Sequence, residues 1–175
     1  MTDLFDSGGL QPIPLQDAEL SYAVAPSLGL PAARLFEQLY EQTAWRQEDI
    51  VVWGKTHRQP RLHAWYGDAD SCYTYSGIML EPLPWTPLLL DLKQRLETLA
   101  DTSFNSVLLN YYRDQSDSMG MHSDDEAELG PTPVIASLSL GEERKLVFRH
   151  RHRRDLEALH LPLASGSVLL MSGAT

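Results

Sequence analysis

One imidazole and three carboxylates lie together in the short stretch His122-Ser123-Asp124-Asp125-Glu126. Acidic side chains this close repel one another, and a bound metal ion is one way to hold them together. Residues two apart in an extended segment point to the same side, so His122 and Asp124 can reach one ion. These are two of the three ligand types in the 2-His-1-carboxylate site of non-haem iron(II) oxygenases. An HxD motif alone is also common in solvated turns, so both interpretations stand at this point.

The elements around the motif predict an α+β chain with a sandwich-like or barrel-like β core. Two amphipathic helices are expected, one beginning at Pro31 and one capped by Thr86. Short β-prone runs between turn residues predict the strands 50–53, 73–75, 106–112, 134–140, 145–149, 156–163 and 167–171. The HxD motif falls in the loop after the 106–112 strand, where scaffolds commonly carry chemistry. Residues 1–26 are expected to be an extended lead-in and residues 27–175 a single domain.

The composition is that of an ordinary globular protein. Hydrophobic residues make up 43% and charged residues 22% of the 175 residues. The N-terminus lacks the basic and apolar regions of a secretory signal, and no apolar run approaches the length of a membrane span. The single cysteine, Cys72, has no partner for an internal disulfide, which fits a reducing compartment. We therefore expect a cytoplasmic protein with no membrane association.

The basic residues are concentrated in one segment of an acidic chain. The formal net charge is −10, yet residues 144–154 (RKLVFRHRHRR) contain six of the fourteen Lys and Arg residues and no acidic residue. Such a cluster can bind phosphates even in an acidic protein, because contacts within a Debye length dominate. A solvated hairpin would have the same composition. Charge alone therefore leaves both interpretations open.

The sequence around the HxD motif resembles the AlkB family of iron(II)/2-oxoglutarate dioxygenases, in particular its DNA-repair branch. In that family an N-x-Y strand, here Asn110-Tyr111-Tyr112, precedes the HxD loop. Further stretches match in the family's order over about residues 50–175, namely WGKTHRQPRLHAWYGDA (53–69), YTYSG (73–77), PVIASLSLG (133–141) and LASGSVLLM (163–171).

The resemblance implies a role for each matching residue. His122 and Asp124 would bind Fe(II), Asn110 and Tyr112 would hydrogen-bond 2-oxoglutarate, and Asp125 would accept from the exocyclic amino group of a damaged base. The remaining substrate contacts would be a finger that replaces a flipped base, an aromatic pocket wall and phosphate-binding arginines: Trp53, Tyr73, Tyr75, Ser76, Arg61, Arg149, Arg151 and the rest of the basic cluster. The alternative is that Trp53, Tyr73 and Tyr75 are core aromatics with no contact to substrate.

The resemblance also implies a fold and an activity. The fold would be a double-stranded β-helix (jelly-roll) core with flanking N-terminal helices. The activity would be oxidative demethylation of 1-methyladenine-type and 3-methylcytosine-type bases in DNA, with release of formaldehyde and succinate. The protein would act as a monomer on alkylated DNA, with RNA as a further possible substrate.

The sequence departs from the family near its end. In the family a distal iron-binding His and two 2-oxoglutarate-binding Arg residues follow the last matching strand, and no residue here occupies those positions. The chain as written is therefore expected to be weakly active or inactive, as either a fragment of a longer dioxygenase or a natural remnant. Two other functions stay open: a non-catalytic nucleic-acid-binding module, and a dioxygenase acting on RNA, protein or lipid.

Overall fold

The computed structural model describes residues 8–173 except for 53, 72, 76–77, 125–129 and 131, and only the backbone of 50–52, 73–75 and 78–80. It contains two helices, α1 (Ala32–Gln42) and α2 (Pro87–Ala100). The strands in chain order are β1 (Gln11–Leu15), β2 (Ala18–Ala23), β3 (Asp49–Val52), β4 (Lys55–Arg58), β5 (Leu62–Gly67), β6 (Tyr73–Tyr75), β7 (Ile78–Leu80), β8 (Ser106–Tyr111), β9 (Ile135–Ser139), β10 (Arg144–Phe148), β11 (Leu159–Leu163) and β12 (Ser167–Gly173). The predicted mixture of helices and strands is confirmed.

The largest sheet has the strand order β1-β2-β12-β9, and all of its neighbours are antiparallel. β12 is central and carries the fully buried Val168 and Leu169. The hairpin β1–β2 comes from the segment that was expected to be an extended lead-in, so that expectation was wrong for residues 11–23. Pro12 and Pro14 argued against a strand in the sequence, because proline lacks a backbone N–H. β1 is an edge strand, however, where a missing N–H is tolerated.

Both predicted helices are confirmed, and their apolar faces form the core. Thr86 caps α2, since its hydroxyl oxygen accepts from the backbone N–H of Leu89 at 3.3 Å. Leu35 of α1 and Leu92 of α2 pack with Val168 in one buried cluster. The helices therefore cover one side of the main sheet's central strand. Neither helix is long and apolar enough to cross a membrane, within the residues that the structure describes.

β5 and β8 form an antiparallel ribbon with two different faces. One face packs into the core, where Ala64 and Tyr66 are buried with Val107 and Leu109. On the opposite face His63 lies directly across from Asn110, and Trp65 across from Leu108. Because successive side chains alternate between faces, core packing of one set fixes the direction of the other. β8 thus presents Asn110 away from the core.

The remaining strands form two-stranded pairs, β3–β4, β6–β7 and β10–β11. The predicted strands are confirmed with shifted ends; β11 begins at Leu159 rather than at 156, and β12 continues to Gly173. The strands β1, β2, β4, β5 and β7 were not predicted. The face of β5 that points away from the core carries His63 and the apolar Trp65. The strand therefore lacks the clean polar–apolar alternation that a half-buried strand shows.

Candidate metal and cosubstrate site

His122 and Asp124 are brought together as the i, i+2 spacing predicted. His122 Nε2 lies 3.3 Å from Asp124 Oδ1, and both side chains are partly open to solvent. Two ligand bonds of roughly 2.1 Å at a right angle would place their ligand atoms about 3 Å apart. The observed separation therefore fits two neighbouring positions around one metal ion.

The imidazole of His122 is oriented by its own loop. Its Nδ1 lies 2.8 Å from the backbone oxygen of Gly120. A carbonyl can only accept, so Nδ1 carries the proton and donates. In the neutral ring, the lone pair is then on Nε2, the atom that faces Asp124. Metal-binding histidines commonly have their second nitrogen held in this way.

The donor set suits iron(II), because imidazole nitrogen and carboxylate oxygen are the ligand types of non-haem iron sites. Within the described part of the chain, no group of three His, Cys, Asp or Glu side chains could hold a metal ion. His150 and His152, which lie after β10, are in contact with each other rather than with His122. The described residues thus supply one imidazole and one carboxylate.

Asn110, a predicted 2-oxoglutarate contact, is hydrogen-bonded to an arginine. Arg61 Nε donates to the Asn110 side-chain oxygen at 2.9 Å, and both residues are half-buried. Arg61 was expected to contact phosphate, and its bonded neighbour in the structure is instead Asn110. The two residues come together because the start of β5 lies beside the end of β8.

Tyr112, the second predicted 2-oxoglutarate contact, lies under another arginine. The guanidinium carbon of Arg144 is 4.5 Å from the centre of the Tyr112 ring, a cation–π distance. Arg144 also donates to two backbone oxygens of the following loop, Asp114 at 3.2 Å and Asp117 at 2.7 Å. One member of the predicted phosphate-binding cluster is thus bonded to the loop that leads to the HxD motif.

The loop of residues 112–118, which we call the anchored loop, is organised by Asp117. This carboxylate is 3% exposed and accepts three hydrogen bonds from Arg113, one from its backbone N–H at 2.9 Å and two from its guanidinium at 2.7 and 2.9 Å. These bonds from Arg113 lower the pKa of the Asp117 carboxyl to about 2. Asp117 is therefore a carboxylate throughout the physiological pH range.

The anchored loop is also tied to the start of β5. The backbone N–H of Ser118 donates to the Pro60 oxygen at 2.8 Å, next to Arg61. Sequence reasoning missed Asp117 and Arg113 as supports of this loop. The available signal was an acidic residue four positions after an arginine, shortly before the HxD motif, although that spacing is common in solvated loops.

The predicted phosphate contacts Arg149 and Arg151 lie in the loop of residues 149–155, which we call the basic loop, and both are exposed. His150 organises this loop. Its Nδ1 accepts from the backbone N–H groups of His152 at 3.1 Å and Arg153 at 2.9 Å, while its Nε2 donates to Asp17 Oδ2 at 3.0 Å. Hydrogen bonding from His150 lowers the pKa of Asp17.

Several predicted substrate contacts cannot be placed. Trp53, Ser76 and Asp125 lie outside the described residues. Tyr73 and Tyr75 are on β6, which pairs with β7, and only their backbone is described. Their roles stay predictions from the sequence.

Comparisons with known proteins show the family of the chain. A family model described as the 2OG-Fe(II) oxygenase superfamily matches residues 30–175. The chain is 44% identical over 149 residues to the alpha-ketoglutarate-dependent dioxygenase alkB homolog 3 of Mus musculus, a match covering 81% of this chain and 51% of that protein.

A second group of relatives is named for its reaction. The chain is 43% identical over 132 residues to the DNA oxidative demethylase ALKBH2 of Homo sapiens, covering 72% of this chain and 51% of that protein. It is also 43% identical over 148 residues to the mouse protein of the same name, covering 81% of this chain and 62% of that protein. The chain spans about half the length of most of these curated relatives.

Proposed function

Because the chain belongs to the AlkB family within the 2OG-Fe(II) oxygenase superfamily, we propose that the protein is an oxidative demethylase of alkylated DNA. The observation that carries this proposal is the pairing of His122 Nε2 with Asp124 Oδ1 at 3.3 Å, with the imidazole oriented by Gly120. The printed names of two relatives, DNA oxidative demethylases, support DNA as the substrate.

Each side chain of the site has a proposed task. His122 and Asp124 hold Fe(II), and Asn110 and Tyr112 hydrogen-bond 2-oxoglutarate. When bound, the metal and 2-oxoglutarate use O₂ to hydroxylate an N-methyl carbon, with succinate, CO₂ and finally formaldehyde as products. The protein's own contribution is to hold the methyl group near the metal and to exclude water.

We propose 1-methyladenine-type and 3-methylcytosine-type lesions as substrates. Both bases carry an exocyclic amino group that can donate to the carboxylate of Asp125. Tyr73, Tyr75 and Ser76 would line the lesion pocket, and Trp53 would fill the gap left by the flipped base. The exposed Arg149 and Arg151 of the basic loop would contact phosphates.

The proposed architecture is the jelly-roll core that the family implies. The sheet β1-β2-β12-β9 and the ribbon β5–β8 would belong to its two layers. The domain would then include the N-terminal hairpin as well as residues 27–175. We propose that the protein acts as a monomer, and the single cysteine fits a reducing cytoplasm.

The test measures succinate and formaldehyde from oligonucleotides that carry 1-methyladenine or 3-methylcytosine. We expect weak turnover, because the described residues contribute only two metal ligands. The blank is the double variant His122→Ala/Asp124→Ala, which should also lose Mn(II) binding. Turnover and Mn(II) binding equal to those of the blank would refute the proposal.

A second candidate is a nucleic-acid-binding module without catalysis. It is favoured because the described residues supply only two metal ligands and because the basic loop is exposed. Electrophoretic binding with and without iron separates the two functions. The module would be favoured if the DNA affinity is independent of iron and is lost on neutralising Arg149, Arg151 and Arg153. Iron-dependent turnover of the methylated oligonucleotides would exclude it.

A further inference from the structure

Both side chains proposed to hold 2-oxoglutarate are themselves contacted by arginines. Arg61 is hydrogen-bonded to Asn110, and Arg144 lies over the ring of Tyr112. The exposed Arg149 and Arg151 differ from them, since Arg61 and Arg144 are half-buried against the site. The resemblance implied phosphate binding for all four residues, whereas their surroundings divide them into two pairs.

The contact with Arg61 determines which way the Asn110 amide points. A guanidinium can only donate, so the atom of Asn110 that it meets at 2.9 Å must be the oxygen. The amide nitrogen and its two N–H donors then point the other way. A 2-oxoglutarate oxygen needs such a donor, and a rotated amide would present an acceptor to it instead. Arg61 therefore selects the orientation of Asn110 that suits an anionic ligand.

The contacts of Arg144 determine where Tyr112 lies. Its guanidinium donates to the Asp114 and Asp117 oxygens of the anchored loop and stacks on the Tyr112 ring at 4.5 Å. Arg144 comes from β10 and so ties that strand to the loop and to the ring at once. Its planar shape is essential, because stacking and two directed hydrogen bonds together exceed what an ammonium group can make.

We propose that Arg61 and Arg144 are positioning residues of the cosubstrate site, which orient Asn110 and Tyr112 toward 2-oxoglutarate, and that they do not bind phosphate. This inference rests on the proposed function. It assigns to Arg61 a task different from the one that the resemblance implied, since its substitution should weaken 2-oxoglutarate binding and leave DNA binding intact.

The experiment compares Arg61→Met, Arg61→Lys and Arg144→Met with Arg149→Met as the matched control. Methionine keeps much of the apolar stem and removes every donor. One measurement is calorimetric binding of 2-oxoglutarate to the Mn(II)-loaded protein. A second is the salt dependence of binding to an unmodified single-stranded oligonucleotide, which loses a slope of about 0.7 for each phosphate contact removed. The third is the thermal midpoint without ligands.

We expect Arg61→Met and Arg144→Met to raise the dissociation constant of 2-oxoglutarate at least tenfold, to lower the thermal midpoint and to leave the salt slope unchanged. Arg149→Met should leave the 2-oxoglutarate dissociation constant and the thermal midpoint unchanged and should reduce the salt slope. Arg61→Lys should resemble Arg61→Met, because lysine keeps the positive charge but lacks the planar guanidinium that donates to Asn110. The inference is overturned if Arg61→Met reduces the salt slope as Arg149→Met does, or if it leaves the thermal midpoint and 2-oxoglutarate binding unchanged.

The outcomes also separate this inference from the proposed function. A wild-type protein that takes up neither Mn(II) nor 2-oxoglutarate contradicts the proposed function. The ligand-free thermal midpoint and the salt slope would still decide whether Arg61 supports Asn110 or binds phosphate.

Discussion

The anchored loop and the basic loop are both rich in arginine contacts, and they use them in opposite ways. In the anchored loop, Arg113 donates to the buried carboxylate of Asp117, and Arg144 of β10 donates to the loop's backbone oxygens. In the basic loop Arg149 and Arg151 are exposed, and the loop is held instead by the imidazole of His150. The first loop is shaped by hydrogen bonds to buried charge, whereas Arg149 and Arg151 of the second are exposed at the surface.

This difference shows why the number of charges in a segment does not reveal their function. A guanidinium that is already saturated by carboxylate and carbonyl oxygens has few donors left for a phosphate. A guanidinium at the surface is more accessible to a ligand. The anchored loop also leads directly to His122 and Asp124, so its hydrogen bonds would help to hold the proposed metal ligands in place.

The largest expected effect is that of Asp117→Asn in the anchored loop. The amide replaces an acceptor oxygen by a donor that faces Arg113, so at least one of the three hydrogen bonds is lost inside the protein. We expect the thermal midpoint to fall by roughly 5 °C and Mn(II) affinity to fall about tenfold. Calorimetry and Mn(II) titration measure the two changes.

Asp114→Asn is the matched control for this prediction, because Asp114 lies in the same loop and is exposed, and its carboxylate accepts from Ser116 at 2.8 and 2.5 Å. Its thermal midpoint should stay close to that of the wild type. Equal effects of the two substitutions would mean that the loop is not organised around Asp117.

The second expected effect is on the pH dependence of stability. The folded-state pKa of Asp117 is about 2, below its ordinary value of 3.8, so ionised Asp117 stabilises the fold above pH 4. That contribution declines as the pH falls from about 4 toward 2. The difference in urea midpoint between wild type and Asp117→Asn should therefore narrow between pH 5 and pH 2. A difference in urea midpoint that stays constant over this pH range would contradict the lowered pKa of Asp117.

The two loops also show what the sequence could and could not predict. The pairing of His122 with Asp124 follows from local spacing, and so do both helices, whose caps and apolar stripes lie within a few residues. The organisation of the preceding loop by Asp117 depends on the burial of that side chain, and a charged residue near an arginine gives no local sign of burial. The contact between Arg61 and Asn110 depends on pairing of β5 with β8, across more than forty residues of chain.

The N-terminal hairpin was missed for a related reason. Its two prolines suggested an extended lead-in, and its place in the sheet depends on β2 pairing with β12, the last strand described. Long-range pairing of this kind leaves no periodic signal in either strand alone. The mixture of helices and strands and the closeness of His122 to Asp124 could thus be predicted, whereas the long-range contacts around them could not.

A smaller effect is expected from His150→Ala in the basic loop. The substitution removes the acceptor for two backbone N–H groups and the contact with Asp17, while every arginine remains. We expect DNA affinity to fall about threefold with an unchanged salt slope, because the phosphate contacts survive and only their arrangement loosens. His152→Ala is the control, since its ring caps no described backbone group. A loss of slope would show that His150 itself contacts phosphate.

The smallest effect is expected from Asp155→Asn, at the end of the basic loop. Arg153 makes two hydrogen bonds with Asp155, at 2.8 and 2.6 Å, and both side chains are more than half exposed. Exposed ion pairs contribute little to stability, because water screens them and two long side chains must be ordered. The thermal midpoint should therefore change by no more than about 1 °C, in contrast to Asp117→Asn, although both substitutions remove a carboxylate that is bonded to an arginine. The same substitution releases the Arg153 guanidinium, so the affinity for single-stranded DNA should rise slightly at low salt. A fall of the midpoint as large as that of Asp117→Asn would erase the distinction between the two loops.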